Sequence, residues 1–478
     1  MKKPGRISRR ASLRTIGAAG GLGVLAGGAN LRGAAPARIP ADMRERIFEK
    51  VSATPLVDTH EHLIEESDRL QGTRHPRVRC DDWALLLSHY LDSDLVVAGM
   101  PPETVGRFFS PEVDPLKKWE LVEPYWAAVR HTGYAQAVRL ACRELYGVGD
   151  LSAETVAEVQ TGYERTRRRG FYDRVLREQA NLESCQVNCL TGEPFKESAQ
   201  PTLLMQDLSI VGMFAGPGLE AYGRPAGIEV SSLADWHRVI GWWFERYARY
   251  AVAVKSQHAY SRDIDYQRVE SSVADPLFGK VLRKESLSTE ERRQLEDHLF
   301  WVAVDQATEA GLPVKLHTGY YAGQNGMPLS RVARNAGSAA DLCRTSPRTS
   351  FVFMHICYPF YEDLLAVAKH YANAYVDLCW AWIINPVATK DFLKKCLVTM
   401  PANKVFTFGG DYIPVEPVVG HAILARRGIA LALAELVEEG WLELEEALDL
   451  VEPLMRGNAR TVFRLEEKAR ALANAPWA

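Results

Sequence analysis

Several familiar signatures are thin or missing in this 478-residue chain. Its 35 glycines and 25 prolines make up about an eighth of the residues, too few for a collagen-like or low-complexity sequence. An excess of one charge is missing: 57 Lys and Arg stand against 60 Asp and Glu, a net charge of −3. That balance excludes a polybasic nucleic-acid binder. No charge-free apolar run reaches the roughly 18 residues that cross a bilayer, so stable membrane insertion is not expected. Cysteine is sparse, at positions 80, 142, 185, 189, 343, 357, 379 and 396. Only Cys185 and Cys189 are close, and one C-x3-C pair is a weak zinc signal. Cys357 and Cys379 lie in apolar runs and read as small buried hydrophobes. What is present, 47% apolar and 24% charged residues, is the balance of a folded, soluble protein with a sizeable core.

The first 37 residues differ from the rest. Lys2, Lys3 and Arg6 lead into Ser8-Arg9-Arg10-Ala11-Ser12-Leu13-Arg14, then a weakly apolar Gly/Ala-rich stretch, then Ala35-Pro36-Ala37. This resembles a twin-arginine export signal. The resemblance implies a periplasmic protein, cleaved after Ala37 and exported already folded, often with its metal. An oxidising compartment permits disulfides without saying which pairs form.

From residue 38 to 478 one design recurs: a short apolar run that ends in polar residues. Pro55-Leu56-Val57 ends in Asp58-Thr59-His60, Ala251–Val254 in Lys255, and Pro313-Val314-Lys315-Leu316 in His317. Phe351–Met354 ends in His355, Ala374–Val376 in Asp377, and Val405–Phe408 leads through two glycines to Asp411. Helix-patterned sequence separates most of these runs, which predicts alternating strands and helices and a parallel sheet. Polar residues at successive strand ends favour a closed (β/α)8 TIM-like barrel, where chemistry from several strands meets at one face. The runner-up, an open doubly wound sheet, lacks a Gly-rich dinucleotide turn. The stretch from about 64 to 200 breaks the rhythm, with helices expected over 82–91, 117–130, 134–145 and 153–169. It reads as a helical insertion after the first strand that caps the barrel mouth.

Asp58-Thr59-His60-Glu61-His62 carries the chemistry. In an extended segment residues i and i+2 point the same way, so both imidazoles can address one ion, while Glu61 faces the other side. Later strands end in further ligand types: Lys255, His317, His355 and Asp411. Any one of these has an ordinary explanation, such as a core histidine, a solvated lysine or a helix cap. Their joint order along five strands does not.

With those residues in place, the chain resembles the amidohydrolase superfamily of metal-dependent barrels over about residues 53–462. Leu56-Val57-Asp58-Thr59-His60-Glu61-His62 is similar to the family's first-strand signature. The resemblance implies metal ligands at His60, His62, His317, His355 and Asp411. Lys255 stands where many members carry a lysine, carbamylated in some of them so that it bridges two metals. Gly457-Asn458-Ala459-Arg460 is similar to the family's Gly-Asn-Ala segment. Val254-Lys255-Ser256, Leu316-His317-Thr318-Gly319 and His355-Ile356-Cys357-Tyr358-Pro359 resemble a branch fused to glutamine-synthetase-like domains. The insertion, with Trp119, Trp126 and Tyr146-Gly147-Val148, is similar to that of uronate isomerases.

A divalent ion on neutral imidazoles and a carboxylate acts as a Lewis acid and lowers the pKa of a bound water to roughly 7. Asp411 is then the natural proton acceptor and donor, and Lys255, if unmodified, binds an anionic substrate group. Zn is the first expectation, with Mn, Fe or Ni as alternatives and one or two ions per chain. Substrate contacts are expected from Tyr260, Arg262, Tyr320, Trp380, Trp382 and Tyr412, the arginine gripping a carboxylate. The expected activity is hydrolysis of an amide or ester bond in a small carboxylated substrate. The alternatives are decarboxylation or uronate isomerisation on the same barrel, or a non-catalytic periplasmic binding protein. No nucleic-acid partner is expected, and the sequence leaves a homo-oligomer open.

Overall fold

A computed structural model describes residues 42–190, 192–214, 218–324 and 326–477. The expected export signal, residues 1–37, lies outside them. The core is built from short parallel strands: β1 (Leu56–Glu61), β2 (Leu182–Val187), β3 (Leu204–Gln206), β4 (Leu208–Ser209) and β5 (Val254–Ser256). They continue as β6 (Val314–Leu316), β7 (Phe351–Met354), β8 (Ala374–Asp377) and β9 (Val405–Phe406). Two ladders, β1-β2-β3 and β4 through β9, follow chain order. Nearly every strand residue is buried, as a parallel sheet covered by crossover helices requires.

Backbone hydrogen bonds link the two ladders at both ends. Asp207, between β3 and β4, donates its N–H to the Val187 carbonyl at 2.8 Å, and Leu208 donates to Ala253 at 2.9 Å. β3 and β4 are therefore two pieces of one strand. Beyond β9, Thr59 donates to Phe408 at 2.9 Å, Asp411 to His60 at 2.9 Å and His62 to Tyr412 at 3.0 Å. The last strand segment thus pairs with the first, and the architecture is that of an eight-stranded (β/α) barrel with its strand C-termini on one face.

The insertion after β1 is helical, with helices Trp119–Val129, Gly133–Tyr146 and Val156–Thr166 where the periodicity predicts them. Two local features differ. β2 lies inside the stretch expected to be insertion, because Glu183, Ser184 and Gln186 break up its apolar run. The helix expected over 82–91 is a 3-10 turn, Trp83–Leu87, followed by a separate helix, Leu91–Val97. Between them His89 takes a left-handed φ of 82°, which ends any continuous helix.

The C-terminal helices lock the barrel. Pro417–Glu438 is apolar enough by length and composition to cross a membrane, but 78% of its most apolar window is buried within the protein. It is a core helix. At Gly420 a Cβ would lie 1.8 Å from the Ala137 carbonyl oxygen, so only glycine permits this close packing against the insertion. In the Gly-Asn-Ala segment, Asn458 donates to the carbonyls of Ala402 (2.8 Å) and Val405 (2.9 Å), pinning the start of β9.

Candidate metal centre

At the strand C-termini β1 presents His60 and His62, and the turn after β9 presents Asp411. His60 Nε2 and His62 Nε2 are 3.3 Å apart, and each lies 3.2 Å from Asp411 Oδ1. An ion roughly 2.1 Å from each of three N or O ligands spaces them about 3.0–3.4 Å apart, so this triangle fits a divalent metal. His62 Nδ1 lies 2.8 Å from the Asn188 carbonyl oxygen, which can only accept. The ring proton is therefore on Nδ1, and Nε2 offers its lone pair to the site. His355 Nδ1 meets the Cys379 carbonyl in the same way at 3.0 Å. Its buried Nε2 has no hydrogen-bond partner among the described residues and sits 3.8 Å from Asp411 Oδ2. An unpartnered imidazole nitrogen beside a carboxylate that two other imidazoles already meet is what a metal would satisfy.

The electrostatics suit ligands. Burial pushes His60 and His317 well below the usual histidine value, and nearby cationic groups add to the effect. Burial lowers His355 to about 4. Neutral imidazoles are the form that binds metal. Burial works to raise the Asp411 carboxyl, but His60 and His62 outweigh it and hold the group well below the usual carboxylate range. Burial also brings Lys255 down to about 8. The amine has one hydrogen-bond acceptor, Met354 Sδ at 2.8 Å. Both Asp411 and His355 adopt left-handed φ angles, 63° and 61°, which cost a non-glycine residue about 1–3 kcal/mol each.

A cavity of about 560 Å³ opens over these groups, lined from the barrel by His60, His62, Lys255, Tyr260, His317 and Asp411. His317 Nε2 donates to the Tyr320 carbonyl at 2.9 Å, and its ring lies 4.5 Å from His355. The insertion supplies the other wall: Arg77, Arg79, Ser88, His89 and Asp92. His89 Nδ1 accepts the Ile413 N–H at 3.2 Å, so in the neutral ring the proton is on Nε2. Burial holds this imidazole at about 4. Arg77 gives one hydrogen bond to the Leu190 carbonyl, while Arg79 is paired with Asp92 at 3.2 Å.

The six residues expected to contact substrate are distributed unevenly. Tyr260 lines the cavity, and its hydroxyl accepts the Ala322 N–H at 3.0 Å. The Arg262 guanidinium is engaged elsewhere, by Asp297 at 2.6 Å and Glu296 at 3.2 Å, away from the cavity lining. Trp382 is a core residue that donates to the Thr407 carbonyl at 2.7 Å. Trp380 is buried beside the site, stacked on Tyr90 at 4.9 Å. Tyr412 is buried beneath His89 and Tyr90, and Tyr320 contributes its carbonyl to His317. Neither His89 nor Arg77 carries a sequence signal of its role: His89 falls inside the segment expected to be one helix, 82–91, and Arg77 lies outside any expected element. Asp207, between β3 and β4, has no sequence signal either: it binds Lys315 at 2.9 Å inside the barrel, 3.9 Å from His60 Nδ1.

A family model described as amidohydrolase matches residues 283–465, a segment containing His317, His355 and Asp411. A uronate isomerase from Rhizorhabdus wittichii is 22% identical over 476 residues, spanning 90% of this chain and 100% of its own length. Among solved structures, a uronate isomerase from Thermotoga maritima superposes with a TM-score of 0.72 at 15% identity, covering 89% of this chain and 98% of that one. A glucuronate isomerase from Caulobacter crescentus gives 0.71 at 16% identity, covering 92% and 97%. The chain thus resembles the amidohydrolase superfamily in motif and in fold, and within it is similar to uronate isomerases over most of its length.

Proposed function

We propose that this protein interconverts the aldose and ketose forms of a uronic acid, with His60, His62 and Asp411 holding a divalent ion. The observation that carries this reading is the cavity's second wall: the insertion brings His89 and Arg77 over the three ligands. The likeness to a uronate isomerase over that relative's whole length supports it.

Aldose–ketose interconversion moves a proton between adjacent carbons, so it needs a base beside a C–H bond and a donor beside the carbonyl oxygen. Asp411, kept ionised, is the base. The Nε2–H of His89 is a donor from the opposite wall, and the Lys255 ammonium is a second from the barrel floor. Arg77 has guanidinium N–H groups left for a bidentate grip on the sugar acid's carboxylate. A bound divalent ion polarises the substrate's carbonyl group.

Incubation of Zn2+- or Mn2+-loaded protein with D-glucuronate and D-galacturonate in D2O tests this reading. Ketose formation with deuterium at the carbon that exchanges its proton is expected. Cleavage of acyl amides or lactones with no uronate turnover and no deuterium uptake would reject it. Hydrolysis has one observation in its favour: His355 Nε2 lies 3.8 Å from the second oxygen of Asp411, and Lys255 and His317 line the same cavity. If Lys255 is carbamylated the site has the means to hold two ions, and metal stoichiometry by plasma mass spectrometry distinguishes one ion from two.

A further inference from the structure

Glu61 lies between the two histidines in sequence, yet it lines no part of the cavity and is fully buried. Its Oε2 accepts the Tyr412 N–H at 2.6 Å. Its Oε1 occupies the space a side chain at residue 410 would need, since a Cβ there would be 1.9 Å away. Asp58 works from the same strand: its Oδ1 accepts the N–H of His60 at 3.0 Å and of Gly410 at 3.3 Å. The two carboxyl groups lie within reach of each other, and Asp58 Oδ2 and Glu61 Oε1 have no hydrogen-bond donor among the described residues. These contacts fall on residues 410 and 412, on either side of Asp411 and its left-handed backbone.

We infer that Glu61, backed by Asp58, is a positioning residue that holds the Asp411 turn in register with His60 and His62 and so sets the metal affinity of the site. The physical reason is the short reach of the contact. Asp411 comes from the opposite end of the chain, and only a few hydrogen bonds fix its turn against β1. Groups that orient a metal ligand typically account for 10–100-fold in affinity. The inference is independent of whether the reaction is isomerisation or hydrolysis.

The test is Zn2+ affinity, measured by competition with a chromophoric chelator, on full-length wild type, E61Q, E61L and G410A, with folding checked by far-UV circular dichroism. Gln can accept from Tyr412 and donate to Asp58, so E61Q is expected to bind Zn2+ within about threefold of wild type. E61L removes the acceptor for the Tyr412 N–H and is expected to bind about 10–100-fold more weakly. G410A leaves Glu61 in place but drives a methyl into it, and a similar loss is expected. Gly410 lies outside the left-handed region, so alanine is opposed there by Glu61 rather than by its own backbone. If E61L fails to fold, the comparison of E61Q with G410A stands in its place. Wild-type affinity in folded E61L or G410A, or a loss in E61Q as large as that in E61L, overturns the inference.

Discussion

Two buried lysines face each other in register across β5 and β6, Lys255 and Lys315, and the protein treats them differently. In the barrel interior, Lys315 donates to both oxygens of Asp207 at 2.9 Å and to the Thr59 carbonyl at 2.7 Å. At the cavity floor, Lys255 has among the described residues only a thioether to donate to, and burial brings its pKa down to about 8. A buried ammonium with full partners is a structural strut. One left nearly bare, beside a ligand cluster, is available for chemistry.

The largest effect that can break this comparison is on stability. Lys315→Met leaves Asp207 buried without its cation and is expected to cost about 3–5 kcal/mol in denaturant unfolding. Lys255→Met removes an amine that burial disfavours, so stability is expected to hold or rise while turnover falls about 100-fold or more. Equal losses of stability in the two variants would erase the distinction. Next in size, His89→Asn is expected to lower turnover by about 100-fold while Zn2+ affinity stays at the wild-type level. A change in affinity would move His89 into the ligand set. Arg77→Met is expected to raise KM for a uronate roughly tenfold at nearly constant kcat, as lost ground-state binding does. Arg262→Met is expected to leave KM alone and lower the melting temperature, since its partners are Asp297 and Glu296.

The smallest effect is a pH dependence of stability from two buried histidines that do not line the cavity. Burial holds His258 at about 4 and His421 at about 3. Both stay neutral in the folded chain while their unfolded forms take up protons below about 6.5, so unfolding is favoured on acidification. The stability these groups contribute is whole above about pH 6.5 and lost progressively down to their folded values. Melting temperatures of metal-free protein from pH 7.5 to 4.5 check the direction, and His258→Phe is expected to flatten part of the slope.

The barrel and the polar groups gathered at its strand ends are legible in the sequence because parallel strands buried on both faces must be apolar, and a polar residue ending one must have a use or a partner. His60, His62, His317, His355 and Asp411 stand out in that way. The second wall is illegible for the opposite reason. His89 reaches the cavity because it is itself left-handed, between a 3-10 turn and a helix, a break hidden by the helical pattern over 82–91. Trp380 and Trp382 show the limit of spacing arguments. A spacing of two places side chains on one face only in extended chain, whereas Trp380 is left-handed and the next residue begins the helix Ala381–Ile384.

Residue order alone determined which donor types stand at the strand ends, because the alternation of apolar runs and helices puts every strand C-terminus on one face of a barrel. It could not separate Val254-Lys255-Ser256 from Val314-Lys315-Leu316, which are nearly the same phrase. Only the tertiary structure decided that one lysine meets Asp207 and Thr59 while the other meets a thioether. Those partners come from segments scores of residues away, and in a low-dielectric interior the partner, rather than the residue type, sets what a charged group can do.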